Sequence, residues 1–256
     1  VQDQNLILAF VHDQMNPRNS PKEMAMQLTD HPINQRWPAK DPSVIQLYAF
    51  PTPNGVKVSI ALEEMGLAYE PHLVTLSDAD VKSAEFLALN PNNKIPAIID
   101  PNGPDGQMLS LFESGAILIY LAEKTGKFIG KTAADKYTTI QWLMFQMGGV
   151  GPMFGQLGFF AKFAGAEYED KRPRDRYAAE AKRLLAVIEK QLDGKDWITG
   201  DYSIADMALV PWLNGLEFYG VREMLGWADH PNIVAYHKRF YARPAVDKAK
   251  NIPARG

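Results

Sequence analysis

Hydrophobic spacing divides the chain into two unlike halves. From Val44 onward, Ile45, Leu47 and Ala49 alternate with Gln46, Tyr48 and Phe50, the period of two that marks a strand. The segment Pro51-Thr52-Pro53-Asn54-Gly55 punctuates the run, and Val56, Ile60 and Met65 then recur at near-helical spacing up to Gly66. Tyr69 to Leu76 reads as a second strand, but Pro71 lacks the amide hydrogen that a central strand needs, which puts it at a sheet edge. Lys94 to Asp100 gives a short apolar strand, Pro101 to Gly106 supplies turn chemistry, and Gln107 to Leu111 returns as the second arm of a hairpin. Glu113-Ser114-Gly115 opens an apolar helix that stops at Lys124-Thr125-Gly126, with the cation and glycine suited to a helix end. The order βαβ, an intervening segment, then ββα predicts one sheet with a helical layer.

Beyond Gly130 the strand texture disappears. Ile140, Leu143, Met144 and Met147 fall at i, i+3, i+4 and i+7, and Tyr177, Ala181, Leu184, Leu185, Ile188 and Leu192 continue such a pattern on another helix. Ser203-Ile204-Ala205-Asp206 has the spacing of a capping box, with Asp206 in place of the more usual glutamate. The second half is therefore expected to be all helical. The divisions predicted are an extension over 1–43, an α/β domain over 44–126, an all-helical domain over 133–247 and a tail over 248–256. Residues 1 to 43 mix Asn, Gln, Pro and Met without sustained periodicity, as in an arm packed loosely on the body. A chain that begins at Val1 rather than methionine points to processing or appended sequence over residues 1–25, with Met26 as a natural start.

Composition narrows the chemistry. None of the 256 residues is cysteine, which excludes disulfide scaffolds, thiolate metal sites and a cysteine nucleophile. Any sulfur chemistry must use a thiol brought by a ligand. The 27 basic and 30 acidic side chains give a net charge of -3, and no basic run occurs, which argues against a nucleic-acid or acidic-membrane surface and for a small partner. No run of about 18 apolar residues exists to span a bilayer. The early apolar run Leu6 to Val11 follows Asp3 rather than a basic segment and is short for a secretory signal, so a cytoplasmic location is expected. The 5 histidines include no i, i+3 or i+4 pair, so no metal site is expected. Gly149-Val150-Gly151 resembles half a dinucleotide fingerprint, yet Phe154 takes the third glycine position and no strand precedes it; a helix break is the better reading.

Three spots in the first domain carry candidate chemistry. Thr52 and Asn54 sit between the first strand and first helix, where a hydroxyl, an amide and free helix amides can face one anion, although spacing alone favours plain turn formation. At Ile95-Pro96, a cis bond would turn the Ile95 amide and carbonyl outward toward an extended ligand, although most such bonds are trans. Glu113-Ser114 opens a helix, where hydroxyl and amides can hold a carboxylate or simply cap. All three lie at strand ends of one small sheet.

This arrangement resembles the glutathione transferases over roughly residues 44 to 247, through Asn-Asn-Lys-Ile-Pro-Ala-Ile (Asn92 to Ile98), Phe-Glu-Ser-Gly-Ala-Ile (Phe112 to Ile117) and Ser203-Ile204-Ala205-Asp206. Pro51 to Gly55, Gln141-Trp142 and Gly148 to Gln156 are similar to the nu-class bacterial branch, whose members reduce disulfides with glutathione. The resemblance implies a thioredoxin-like N-terminal domain, an all-α C-terminal domain and a homodimer. It implies that Glu113 and Ser114 bind the γ-glutamyl end of glutathione, that Ile95 pairs with its cysteinyl backbone beside cis-Pro96, and that Thr52 and Asn54 face its sulfur as the catalytic pair. Gln156 is expected near the sulfur. Arg176 matches an arginine that reaches the neighbouring subunit's site, a solvated helix charge being the alternative. Val81 departs from the pattern near an expected polar contact, which leaves one or two bound glutathiones open.

The physical task is to make a thiolate at neutral pH, which asks a thiol of pKa about 8.5 to drop by one or two units. Tyr48 is a rival hydroxyl donor, with packing on the sheet as its alternative. Three readings stand: glutathione-dependent disulfide reduction with some peroxidase activity, conjugation of glutathione to an electrophile, or a non-catalytic glutathione-binding module.

Overall fold

The first domain is built on a four-stranded sheet whose register decides where the candidate residues meet. The structure, a computed structural model, describes residues 27–255. The expectations for residues 1–25, Leu6 to Val11 and Met26 lie outside the described residues. The elements are β1 (Ile45–Ala49), α1 (Pro53–Met65), β2 (Tyr69–Leu73), short helices α2 (Asp78–Val81) and α3 (Ala84–Leu89), β3 (Ala97–Asp100), β4 (Leu109–Phe112) and α4 (Ser114–Thr125). The sheet order is β2-β1-β3-β4, with β1 and β2 parallel and the other two pairs antiparallel. This is the thioredoxin-like topology, and β2, which carries Pro71, lies at the edge.

Alternation along β1 feeds two cores. Ile45, Leu47 and Ala49 join α1, α4 and the helical domain in one buried cluster, while Tyr48 joins Phe86, Leu89, Ala97 and Ile99 on the opposite face. Gly66 ends α1 at φ 71°, a left-handed conformation that glycine adopts without penalty.

The second domain comprises α5 (Ala133–Phe145), a π-helical turn (Gln146–Val150), α6 (Gly151–Lys162), α7 (Arg172–Gln191), α8 (Ile204–Phe218), α9 (Pro231–Tyr241) and α10 (Pro244–Ala249). Helicity thus extends through Ala249, two residues past the expected tail boundary. The capping box at the start of α8 is formed, with Asp206 accepting from the backbone amides of Ser203 and Ile198 and from the Tyr236 hydroxyl. The two domains are joined by α1, which packs against α8 and α10. Arg243 grips Glu64 through two hydrogen bonds of 2.6 and 2.8 Å, and the Ser59 hydroxyl donates to the Ala249 carbonyl.

Two expectations change. The described part of the extension is not loosely packed: Ile33 is fully buried, Trp37 donates to the Leu73 carbonyl, and Arg36 pairs with Asp80. Scattered apolar residues with no period suffice there because two short 3-10 turns, Leu28–Asp30 and Pro32–Gln35, point Leu28 and Ile33 into the second core. Gly149-Val150-Gly151 does not break the helix either. The chain continues from α5 through the π turn into α6, since a wider turn absorbs the glycines without losing helical direction. Among the described residues no helix is long and apolar enough to cross a membrane.

Candidate active site

Register brings the first-domain candidates to one end of the sheet. Tyr48 of β1 lies opposite Ala97 of β3, and Ala97 lies opposite Phe112 of β4. The residues that continue from these three positions, Thr52 and Asn54 after β1, Ile95-Pro96 before β3, and Glu113-Ser114 after β4, therefore converge. Two helix N-termini, of α1 and α4, open there as well, which makes this end of the sheet favourable for negative charge.

The loop before α1 is shaped by close backbone approach. A Cβ on Gly55 would lie 1.9 Å from the Phe50 carbonyl oxygen, so only glycine permits this turn. Thr52 is the N-cap: its hydroxyl oxygen accepts from the Gly55 amide at 3.2 Å, leaving its own proton to donate elsewhere. Asn54 is held from the other domain. Its Oδ1 accepts from Trp212 Nε1 on α8 at 2.9 Å, so the amide NH2 is the end left for a ligand. Gly151 and Gly155 on α6 make room for that indole, with Cβ positions 3.3 and 3.5 Å from its ring.

The Ile95–Pro96 bond is cis, and the strand ladder begins at Ala97, which leaves the Ile95 amide and carbonyl outside it. Glu113 is the N-cap of α4 at φ 70° and ψ 109°, without a capping bond from its side chain. A glutamate in the left-handed half of φ costs on the order of 1–3 kcal/mol and concentrates at ligand sites. Ser114, one residue on, is buried.

Behind Ser114 lies a group that sequence reasoning missed. Lys57, on α1, is fully buried and donates to Gln146 Oε1 at 2.5 Å, to Ser114 Oγ at 3.3 Å and to Met147 Sδ at 3.4 Å. Burial pushes its ammonium down to about 7, with Glu113 opposing the shift. Gly115 lets Met147 approach, since its Cβ would lie 3.0 Å from Met147 Cγ. The signal for Lys57 was a lone charge within the apolar run Val56 to Leu62; the signal for Trp212 was the spacing of two glycines by four on a facing helix.

The remaining candidates come from other elements than the three loops at the sheet end. Gln156 is exposed on α6, one residue beyond the glycine that touches Trp212. Arg176 is exposed near the start of α7, where its charge adds to the Arg183 hydrogen bond that chiefly holds the Glu180 carboxyl low, and among the described residues it makes no hydrogen bond to the sheet end. Tyr48 is fully buried on the opposite face, stacked on His72 at 4.6 Å, and its hydroxyl has no partner. Burial drives that hydroxyl well above the usual tyrosine range, so it holds its proton within the second core. Val81 is buried among Phe86 and its neighbours and offers no polar contact. Among the described residues no group of three or more His, Asp or Glu is placed to hold a metal ion.

A thioredoxin-like sheet with these helix starts and an appended helical domain defines the glutathione S-transferases, and the chain belongs to that family: residues 43–123 match its N-terminal domain and residues 150–244 its C-terminal domain. Within the family it is 43% identical over 208 residues, 80% of this chain and 94% of the relative, to the disulfide-bond oxidoreductase YfcG of Escherichia coli. Among solved structures, a glutathione transferase from Burkholderia graminis with two glutathione molecules per subunit superposes with a TM-score of 0.88 at 62% identity, covering 90% of this chain and 97% of that one. A Pseudomonas putida glutathione transferase with one glutathione disulfide per subunit gives 0.88 at 56% identity, covering 90% of this chain and 100% of that one.

Proposed function

We propose that the protein is a glutathione-dependent thiol-disulfide oxidoreductase in which bound glutathione is the reacting thiol. The observation that carries this reading is a cysteine-free sequence whose sheet end offers hydrogen-bond donors and two helix N-termini to an anionic sulfur. Thr52 donates its free hydroxyl proton and Asn54 its amide to the thiolate. Ile95 pairs with the cysteinyl backbone, and Glu113 and Ser114 hold the ammonium and carboxylate of the γ-glutamyl end. The YfcG name and the glutathione disulfide in the P. putida relative support the reaction class.

The exchange balances without a metal. A glutathione thiolate attacks one sulfur of the substrate disulfide, the S–S bond breaks, and the departing thiolate takes a proton; a second glutathione thiolate then cleaves the mixed disulfide. One disulfide becomes two thiols and two glutathiones become one glutathione disulfide. The two glutathiones in the B. graminis relative fit a site that brings two such sulfurs together.

The protein acts in the cytoplasm as a homodimer, with Arg176 reaching the neighbouring subunit's site and Gln156 close to the sulfur. The exposed position of Arg176 near the start of α7 supports that role. The test is glutathione consumption with a small disulfide compared with a chlorinated aromatic electrophile. Faster turnover of the disulfide is expected; turnover of the electrophile alone would make the protein a conjugating transferase, and turnover of neither a binding module. A monomer with full activity at micromolar concentration in sedimentation would remove Arg176 from the site.

A further inference from the structure

Lys57 is a buried cation enclosed by neutral groups. Its three protons meet an amide oxygen, a hydroxyl and a thioether, from Gln146, Ser114 and Met147, and among the described residues no carboxylate bonds to it. Such an enclosure replaces water with fewer and weaker dipoles, and the positive end of α4 lies on the same side. The other charges on the elements around it are engaged elsewhere. Glu63 and Glu64 of α1 pair with Lys248 and Arg243, Asp247 of α10 with Lys250, Glu123 and Lys124 of α4 with Lys136 and Asp100, and Glu217 of α8 with Arg222. Asp206 is enclosed by its cap at the start of α8. Among the described residues, the charge that acts on Lys57 is that of Glu113, through space.

The hydrogen-bond directions matter as much as the charge. Because Lys57 donates to Ser114 Oγ, the serine must spend its own proton elsewhere, and among the described residues it meets only Met147 Sδ at 3.6 Å. A thioether is a weak acceptor and a carboxylate a strong one. An incoming carboxylate would take that proton and at the same time supply the counter-charge the ammonium lacks.

We infer that Lys57 is a positioning residue for the carboxylate bound at Ser114, aiming the serine hydroxyl outward and coupling ligand binding to protonation of its own amine. The inference rests on the glutathione reading above and adds to it a proton taken up with the γ-glutamyl end. The lysine acts through Ser114 and does not touch the reacting sulfur. Its lowered affinity for a proton before binding fits this role, since the amine is then partly neutral near pH 7.

The test uses S-methylglutathione, whose blocked sulfur releases no proton, and calorimetry of the full chain in buffers of different ionisation enthalpy. The wild-type protein takes up a substantial fraction of one proton per ligand at pH 7.5 and little at pH 6. Its affinity falls about tenfold between pH 6 and pH 8, because only the protonated form is competent. Lys57→Met and Lys57→Gln bind more weakly, show no uptake, and have a flat pH profile over that range. If both variants fail to fold, the wild-type uptake and pH profile decide alone. Binding of S-methylglutathione with no proton uptake and no pH dependence would overturn the inference and leave the glutathione site standing. Absence of binding at every pH would overturn both.

Discussion

Replacing Lys57 by methionine keeps a straight side chain of similar length and removes the buried charge, so its stability should change with pH in a way that only the amine can cause. In the unfolded chain the amine holds its proton up to its ordinary pKa of 10.5, and in the folded chain only up to about 7. Between those values the unfolded state binds more protons, and stability rises with pH. Below pH 7 both states are protonated and the whole cost of burying the cation stands, about 5 kcal/mol at 1.36 kcal/mol per unit. From pH 6.5 to pH 9 the wild-type protein should recover about half of this. The assay is urea unfolding of both proteins at the two pH values and one protein concentration. The expected result is a stability gap that moves by about 2–3 kcal/mol in favour of the wild type at the higher pH. Parallel pH dependence of the two proteins would refute the buried, unpaired cation.

Ser114→Ala should weaken glutathione binding by about 1.5–3 kcal/mol in calorimetry, the worth of one hydrogen bond to a charged group, with little change in folding. Trp212→Phe keeps an aromatic body against Gly151 and Gly155 but frees Asn54 to rotate; steady-state kinetics should show kcat falling by about tenfold or more, with a smaller change in KM for glutathione. Asp206→Ala removes the acceptor shared by Ser203, Ile198 and Tyr236, and should cost about 3–5 kcal/mol in denaturant unfolding, with activity per folded molecule retained.

What the sequence disclosed was local. Alternation in Ile45 to Ala49, Pro71 at an edge, the turn before α1 and the Ser203 to Asp206 cap each involve neighbours a few residues apart, and each appears in the structure. The sheet end followed because strand order places three loops together. Lys57 and Gln146 meet across 89 residues, and Asn54 and Trp212 across 158, through packing that no period encodes. The π turn is not legible for a related reason: glycines in a helical run signal a break, and its first residue, Gln146, meets Lys57 only through the tertiary fold. The packing of the extension leaves no period in the sequence because two 3-10 turns bury Leu28 and Ile33 without any repeat.

The central claim is that Thr52 and Asn54 stabilise a glutathione thiolate. The direct measurement is the pKa of the bound thiol, followed by thiolate absorbance in the ultraviolet with glutathione saturating the wild-type protein, the double variant Thr52→Ala, Asn54→Ala, and Tyr48→Phe. The expected result is a bound thiol one to two units below its ordinary value of about 8.5 in the wild type and in Tyr48→Phe, and a return toward about 8.5 in the double variant, with disulfide-reductase rate partly regained as pH rises. A bound thiol that titrates like free glutathione in the wild type, or one that the double variant leaves unshifted, would contradict it.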